Sequence, residues 1–396
     1  MSYLYPLATT TWDDAEYQAM QAVIQSGAFT MGQQVRTFEE QFAQFFGAQH
    51  ALMVNSGSSA NLLMIAALFY TQNADLKLQA GDEVIVPAVS WSTTYYPLAQ
   101  YGLAVKFVDI DLQTLNFDLA ALAQAITPRT RCVLAVNLLG NPNDFAAIKQ
   151  LLANAATERP IVLLEDNCES MGATFGGQQA GTFGVMGTFS SFFSHHISTM
   201  EGGLVLTDDE ELHHILLCLR AHGWTRNLPR QNRVTGTKSE DGFEESFRFV
   251  LPGYNVRPLE LSGALGIEQL KKLPMLVTER RRNAALFQQV LANHPKVLIQ
   301  QETGASSWFG FSLIARPGSG LTRQALRQCL NKNGFECRPI VAGNFAKNPV
   351  VQYFNYTIQG VLPNASHLDS HGLFIGNHHY SMAPAMQVLG QVLAAL

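Results

Sequence analysis

Pro160-Ile161-Val162-Leu163-Leu164-Glu165-Asp166 is the stretch from which the fold class follows. It is short, apolar and partly β-branched, and it ends on two carboxylates. A run of that length suits a strand, and its lack of polar alternation suits one buried on both faces. The same pattern recurs upstream as HALMV (50–54), DEVIVPAV (82–89), AVKFVDI (104–110) and RCVLAVN (131–137), with helix-length segments between. Strands of this kind alternating with helices predict an α/β domain: a three-layer α/β/α arrangement around a mostly parallel sheet. GTFSSFF (187–193) and GLVLT (203–207) read as two further strands, followed by a helix from Asp208 to about Ala221.

Outward from this core, the N-terminal region reads as two helices. Thr11 is the expected cap of the first, Asp13 and Asp14 suit its positive end, and Tyr17, Met20, Val23 and Ile24 form its apolar stripe before Gly27. The second spans about Arg36–Phe46. Residues 223–252 break the rhythm with a polar stretch carrying Arg226, Arg230, Arg233 and Lys238, long enough to be functional or disordered. From Arg257 a long helix is expected to about His294, with a kink or break at Pro274. The strand SWFGFSLIA (307–315) and helix LTRQALRQCLNKNG (321–334) predict a smaller C-terminal α+β domain. The division falls near residue 256, giving 1–256 and 257–396.

Composition narrows the function classes. Of 396 residues only 14% are charged while 47% are hydrophobic. That is well below the ~25% charged usual for soluble domains, which points to extra buried surface such as a subunit interface. The net charge of −5, with no long basic run, argues against a dedicated nucleic-acid binder. No apolar stretch approaches the ~18 residues of a membrane span, and MSYLYPLATTTWDD lacks a signal-peptide layout. A cytoplasmic, oligomeric protein is expected. Five scattered cysteines without a CxxC pair suit neither a disulfide framework nor a zinc or iron–sulfur site. Of the 26 basic residues, nine are lysines.

In doubly wound sheets, ligands bind beyond the carboxyl ends of the strands, and three motifs fall there. Asn55-Ser56-Gly57-Ser58-Ser59 joins a strand to a helix. Its free N–H groups, hydroxyls and dipole suit a phosphate, although an ordinary capped turn would read the same way. Walker and Rossmann patterns are absent. Glu165-Asp166-Asn167-Cys168-Glu169 closes a strand. Its carboxylates either cap a loop or hold a proton on a heteroaromatic nitrogen. The third motif is Ser190 followed by His195-His196 and Glu201-Gly202-Gly203. Adjacent histidines point apart in a strand, and the pairs His213–His214 and His378–His379 lie in other contexts, so no metal is expected.

Together these motifs suggest pyridoxal phosphate. NSGSSAN (55–61), GDEVIVPAVSWSTT (81–94), LLEDNCESMGA (163–173), the GTFSSFF–EGG segment (187–203) and LPGYNVRP (251–258) extend over most of the chain. In that order they resemble the DegT/DnrJ/EryC1/StrS branch of the aspartate-aminotransferase superfamily, whose fold type I the chain is expected to share. In that family, a lysine six residues before the Glu of EGG binds the cofactor covalently. Here the position is His195, and none of the nine lysines lies in this segment.

The resemblance therefore implies a lysine-less dehydratase. Pyridoxal or pyridoxamine 5′-phosphate is held noncovalently, with L-glutamate as co-substrate leaving as 2-oxoglutarate. The substrate is a GDP-linked 4-keto-6-deoxyhexose. It loses its C3 hydroxyl, giving a 3,6-dideoxy-4-keto sugar and ammonia, with His195 as acid and base. By the same resemblance, Gly57, Ser58 and Ser190 hold the phosphate, Trp91 stacks on the ring, and Asp166 pairs with its nitrogen. Glu169 lies beside the ring, and Asn255 reaches the phosphate from the second subunit of a homodimer with shared sites. Phe29, Thr30, Met31, Gly32, His222, Arg226, Arg257 and Glu336 fall at the sugar nucleotide. The cysteines lack the clustered pattern of the iron–sulfur relative that needs a reductase partner, so neither cluster nor reductase is expected. A sugar-nucleotide aminotransferase using another lysine, and a catalytically silent pyridoxal-fold sensor, are the competing readings.

Overall fold

A computed structural model describes residues 3–396; the first two residues of the N-terminal stretch read above lie outside them. Among the described residues, eight strands form one sheet in the order 50–54, 203–207, 186–190, 162–166, 130–136, 83–87, 104–108 and 356–358. Gly203–Thr207 pairs antiparallel with both neighbours, and the other pairings are parallel. The reason for the near-continuous apolar runs is visible in the packing. Val84 and Val86 enter one buried cluster while Ile85 enters another, and Leu134 and Leu164 part from Val133 and Leu163 in the same way. Each strand thus feeds two cores, as a sheet covered on both faces requires.

The helices follow their local signals, with some corrections. The first spans Asp14–Ser26, and its cap is Asp13, not Thr11: Asp13 and Glu16 form a reciprocal capping box. Thr11 instead donates its hydroxyl to Gln269 Oε1 at 2.6 Å. Gly27 closes the helix in the left-handed region. The second helix begins at Gln33, three residues before the expected start. Glu260–Leu291 is one helix that Pro274 does not break. Proline removes one hydrogen bond there, but Leu265, Leu270, Leu273, Leu276 and Val277 are buried on either side of it, so packing outweighs the loss.

A second sheet of four strands, in the order 297–298, 310–315, 372–376 and 337–338, is antiparallel and packs with its helices around Phe287, Phe311, Leu326 and Leu389. Chain beyond residue 256 also serves the large sheet. Tyr356–Ile358 pairs parallel with 104–108 at its edge, and Phe345, Val351 and Leu368 join the core on one of its faces. The polar stretch 223–252 is structured, with a small hairpin (231–232 with 236–237) and a short helix, Gly242–Glu245. Glu245 accepts from Thr225, Ser239 and Arg248 and ties its ends together.

Candidate active site

The carboxyl ends of the parallel strands open into a cavity of about 520 Å³. Ser56, Gly57, Ser58, Trp91, Asp166, Glu169, Ser190 and His195 line it, together with Phe309, Arg338 and Phe374 from the C-terminal region. Strand alternation selects which carboxylate reaches it. Asp166 lines the cavity, whereas Glu165 is turned to the other side, where the backbone N–H groups of Gly181, Phe183 and Gly184 bind it. Burial pushes the Glu165 carboxyl up to about 7. It is a structural anchor for the 181–184 turn.

Asp166 is 5% exposed and fully furnished with donors. Asn61 Nδ2 (2.9 Å) and Thr94 Oγ1 (2.7 Å) donate to Oδ2, and the Cys168 N–H donates to Oδ1 at 3.1 Å. Nothing in the Asn61 or Thr94 contexts singles them out before folding, since they lie 105 and 72 residues from Asp166.

Ser56 caps the helix Gly57–Tyr70 by accepting from the Ser59 N–H, leaving the first turn's remaining N–H groups at the cavity. A Cβ at Gly57 would lie 2.7 Å from Ser190 Cβ and 3.0 Å from Cys168 Sγ. The glycine is therefore what lets the helix start approach Ser190. Trp91, 58% exposed, stands at the cavity wall just before the helix Ser92–Gln100. Glu169 accepts from the Leu139 N–H at 3.0 Å, and burial pushes its carboxyl up to about 7.

The two histidines divide clearly. His195 lines the cavity, its Nδ1 is buried without a partner, and burial followed by the charge of Arg280 lowers its imidazole to about 4. His196 is fully buried, and its Nε2 donates to the Ser307 carbonyl at 3.1 Å, away from the cavity lining. Neither sits in a strand as the sequence pattern suggested; they occupy the turns between Ser190 and Gly203. Among the described residues lining the cavity there is no lysine, and no group of three His, Cys, Asp or Glu side chains is placed to hold a metal.

Asn255 and the expected sugar-nucleotide residues do not reach this cavity within one chain. Met31, Gly32 and Arg226 line a separate cavity of about 480 Å³. Phe29 accepts at its carbonyl from Glu260, and Thr30 bridges Leu259. Arg226 stacks on Trp224 at 4.3 Å, and His222 packs on the same indole. Arg257 donates from Nε to Asn255 Oδ1 at 2.9 Å. Glu336 binds the Leu7 N–H and pairs with Arg338, which does line the cavity. Residues 29–32 lie between the two N-terminal helices, His222 to Arg257 in the segment after the helix Glu210–Arg220, and Glu336 just before the small-sheet strand Cys337–Arg338; none of them lines the cavity.

The sequence pattern 10–392 matches the DegT/DnrJ/EryC1/StrS aminotransferase family. The chain belongs to this family. It is 61% identical over 390 residues to a GDP-4-keto-6-deoxy-D-mannose 3-dehydratase of Escherichia coli O55:H7 (strain CB9615 / EPEC), covering 98% of this chain and 99% of that one. A protein of the same name from Yersinia pseudotuberculosis is 60% identical, covering 98% of each. A crystal structure of GDP-4-keto-6-deoxymannose-3-dehydratase with a trapped PLP-glutamate geminal diamine superposes with a TM-score of 0.96 at 61% identity, covering 98% of this chain and 100% of that one.

The residues present fit pyridoxal phosphate. Gly57, Ser58 and Ser190 line the cavity beside the helix start, and Gly57 leaves there a cradle that a methyl group would fill. Asp166 supplies a buried carboxylate for a ring nitrogen, and Trp91 an aromatic face. The imidazole of His195 faces the same cavity with its Nδ1 unpartnered.

Proposed function

We propose that this protein is a pyridoxal-phosphate-dependent, L-glutamate-dependent 3-dehydratase of a GDP-linked 4-keto-6-deoxyhexose, giving a 3,6-dideoxy-4-keto sugar, ammonia and 2-oxoglutarate. The observation that carries this reading is an imidazole, and no lysine, in the cavity of an aminotransferase fold. Without an amine to recapture the cofactor, the scaffold is turned from transamination towards loss of a hydroxyl. When bound, the cofactor supplies the electron sink and the amine nitrogen through which the C3 hydroxyl leaves.

The chain's own groups do the rest. N–H groups at the Gly57 helix start and the hydroxyls of Ser58 and Ser190 bind the phosphate. Asp166, held by Asn61 and Thr94, keeps the ring nitrogen protonated. His195, buried beside the cavity with its Nδ1 unpartnered, is placed to accept a proton and to return it to a departing hydroxyl. General acid–base assistance of this kind is worth ~10²–10⁴-fold.

The reading includes a homodimer with shared sites, in which a second copy brings Asn255 to the cofactor phosphate, while Phe29–Gly32, His222, Arg226, Arg257 and Glu336 serve the sugar nucleotide. The low charge content and exposed Phe29, Phe243, Phe247 and Leu259 support it. No described helix is long and apolar enough to cross a membrane, and a cytoplasmic site of action suits a nucleotide-sugar substrate. The deciding experiment incubates the protein with cofactor, L-glutamate and GDP-4-keto-6-deoxymannose and measures product mass and released ammonia. Loss of the C3 oxygen with ammonia release is expected. An amino sugar would favour the aminotransferase reading, and an unchanged cofactor spectrum with glutamate would favour a silent protein.

A further inference from the structure

His195 lacks the hydrogen-bonded partner that usually fixes a working imidazole. Among the described residues no hydrogen bond reaches either ring nitrogen, and Nδ1 is buried. What touches the ring is aromatic. Phe309 lies 5.1 Å away between centroids at 57°, and Phe192 lies 6.0 Å away nearly perpendicular. Orientation by packing is only as good as the anchoring of the packing group.

Phe309 is anchored heavily. Its N–H donates to the Leu139 carbonyl at 3.0 Å, and the preceding Ser307 N–H donates to Gly140. Trp308 has a φ of 50°, a conformation costly for a bulky residue and held only by its surroundings. The main hold is Arg280, from the long helix 260–291. This guanidinium is 5% exposed and donates to the carbonyls of Phe309 (2.9 Å), Asn377 (2.9 Å) and Trp308 (3.4 Å). Among the described residues it has no carboxylate partner. A buried cation without a counterion is expensive, so a group kept in this state asks for a use. His196 grips the same turn through the Ser307 carbonyl.

We propose that Arg280 is a positioning residue for His195: by clamping the Trp308–Phe309 turn, it fixes the aromatic ring against which the imidazole is set. Its uncompensated charge has a second effect, helping to keep that imidazole in the neutral, proton-accepting form. The other charged or titratable groups around the site are Asp166, Cys168, Glu169, Glu201 and Arg338 in the cavity lining, His196 next along the chain, and Arg281 beside Arg280 on the helix. The inference rests on the proposed role of His195, so its test has a readout that needs neither cofactor nor turnover.

The ligand-free, full-length protein is titrated by NMR, with the His195 ring signal identified by its loss in His195→Asn. Arg280→Met should raise the apparent pKa of that signal by about one unit. Phe309→Leu should remove its ring-current shift, and Phe309→Tyr should keep it. In the loaded enzyme, Phe309→Leu should lower kcat about tenfold with KM within about twofold, and Phe309→Tyr should restore most of it. If Arg280→Met does not fold, Arg280→Lys and the Phe309 pair carry the test. A His195 signal with unchanged shift and titration in the folded Arg280 variants, or a kcat unchanged in Phe309→Leu, overturns the proposal. Failure of the functional reading would appear instead as absence of dehydration in the wild type, whatever the titration shows.

Discussion

The side-chain amide of Asn61 donates to Asp166 Oδ2 at 2.9 Å while its own oxygen accepts the hydroxyl of Thr188 at 2.6 Å. The Thr188 bond fixes which way the amide faces, so Asp166 always meets a donor. A carboxylate so surrounded stays an acceptor for the remaining direction, where a protonated ring nitrogen would sit.

Asn61→Leu leaves that carboxylate short of a donor in a buried site. Weaker cofactor binding by about tenfold is expected, equivalent to about 1.4 kcal/mol. Absorbance titration with pyridoxal phosphate checks it, and unchanged affinity would count against the chain from Thr188 to Asp166.

His195→Asn should lower dehydration by ~10²–10⁴-fold while leaving cofactor affinity near that of the wild type. His196→Asn, removing a bond to the Ser307 carbonyl, should cost stability by about 1 kcal/mol and leave a working site. Parallel assays of product formation and thermal unfolding separate the two. The opposite pattern would mean that the wrong imidazole has been assigned.

The raised carboxyl of Glu169 makes a signed prediction. Its folded pKa, about 7, lies above the ordinary 4.5, so the folded state holds its proton more tightly than the unfolded chain does. The stability linked to this group is fully present below about pH 4.5 and is lost as pH rises towards 7. Glu169→Gln carries no such loss. The Tm difference, variant minus wild type, should therefore grow between pH 5 and pH 8 in the ligand-free protein, as scanning calorimetry would show. A difference that shrinks over that range would contradict the placement of the carboxyl.

Gly57→Ala places a methyl 2.7 Å from Ser190 Cβ. Helix and strand must separate to admit it, at a cost of roughly 1–3 kcal/mol. Cofactor binding should fall further than stability, because the phosphate cradle itself is displaced. Comparing Tm with and without pyridoxal phosphate reads both effects.

The proposed shared site gives a complementation test. His195→Asn and Asn255→Ala homodimers should each be nearly inactive. Re-equilibrating them in equal amounts should restore about a quarter of wild-type activity, since about half of the dimers are then mixed and one of the two sites in each is intact. No recovery after demonstrated exchange would place both residues on the same subunit's site.

Much of this protein was legible in local pattern. The apolar runs, the Gly57 turn and the Asp166 strand end act over a few residues, and strand alternation and helix capping are short-range physics. The histidine at position 195, with no lysine near it, is likewise read from the sequence alone. Local rules also erred locally: Thr11 bonds Gln269 and leaves the cap to Asp13, and Pro274 sits within an unbroken helix because its flanks are buried.

The tertiary structure decided what depends on distant partners. Only folding brings Asn61, Thr94 and Thr188 to Asp166, turns Glu165 away from the cavity, and sets Phe309 and Arg280 behind His195. It also parted His195 from His196, two neighbours in sequence with one chemistry. Side-chain identity is fixed by sequence, but proton affinity and orientation are set by what is packed around a group. Those surroundings come from elements up to hundreds of residues away.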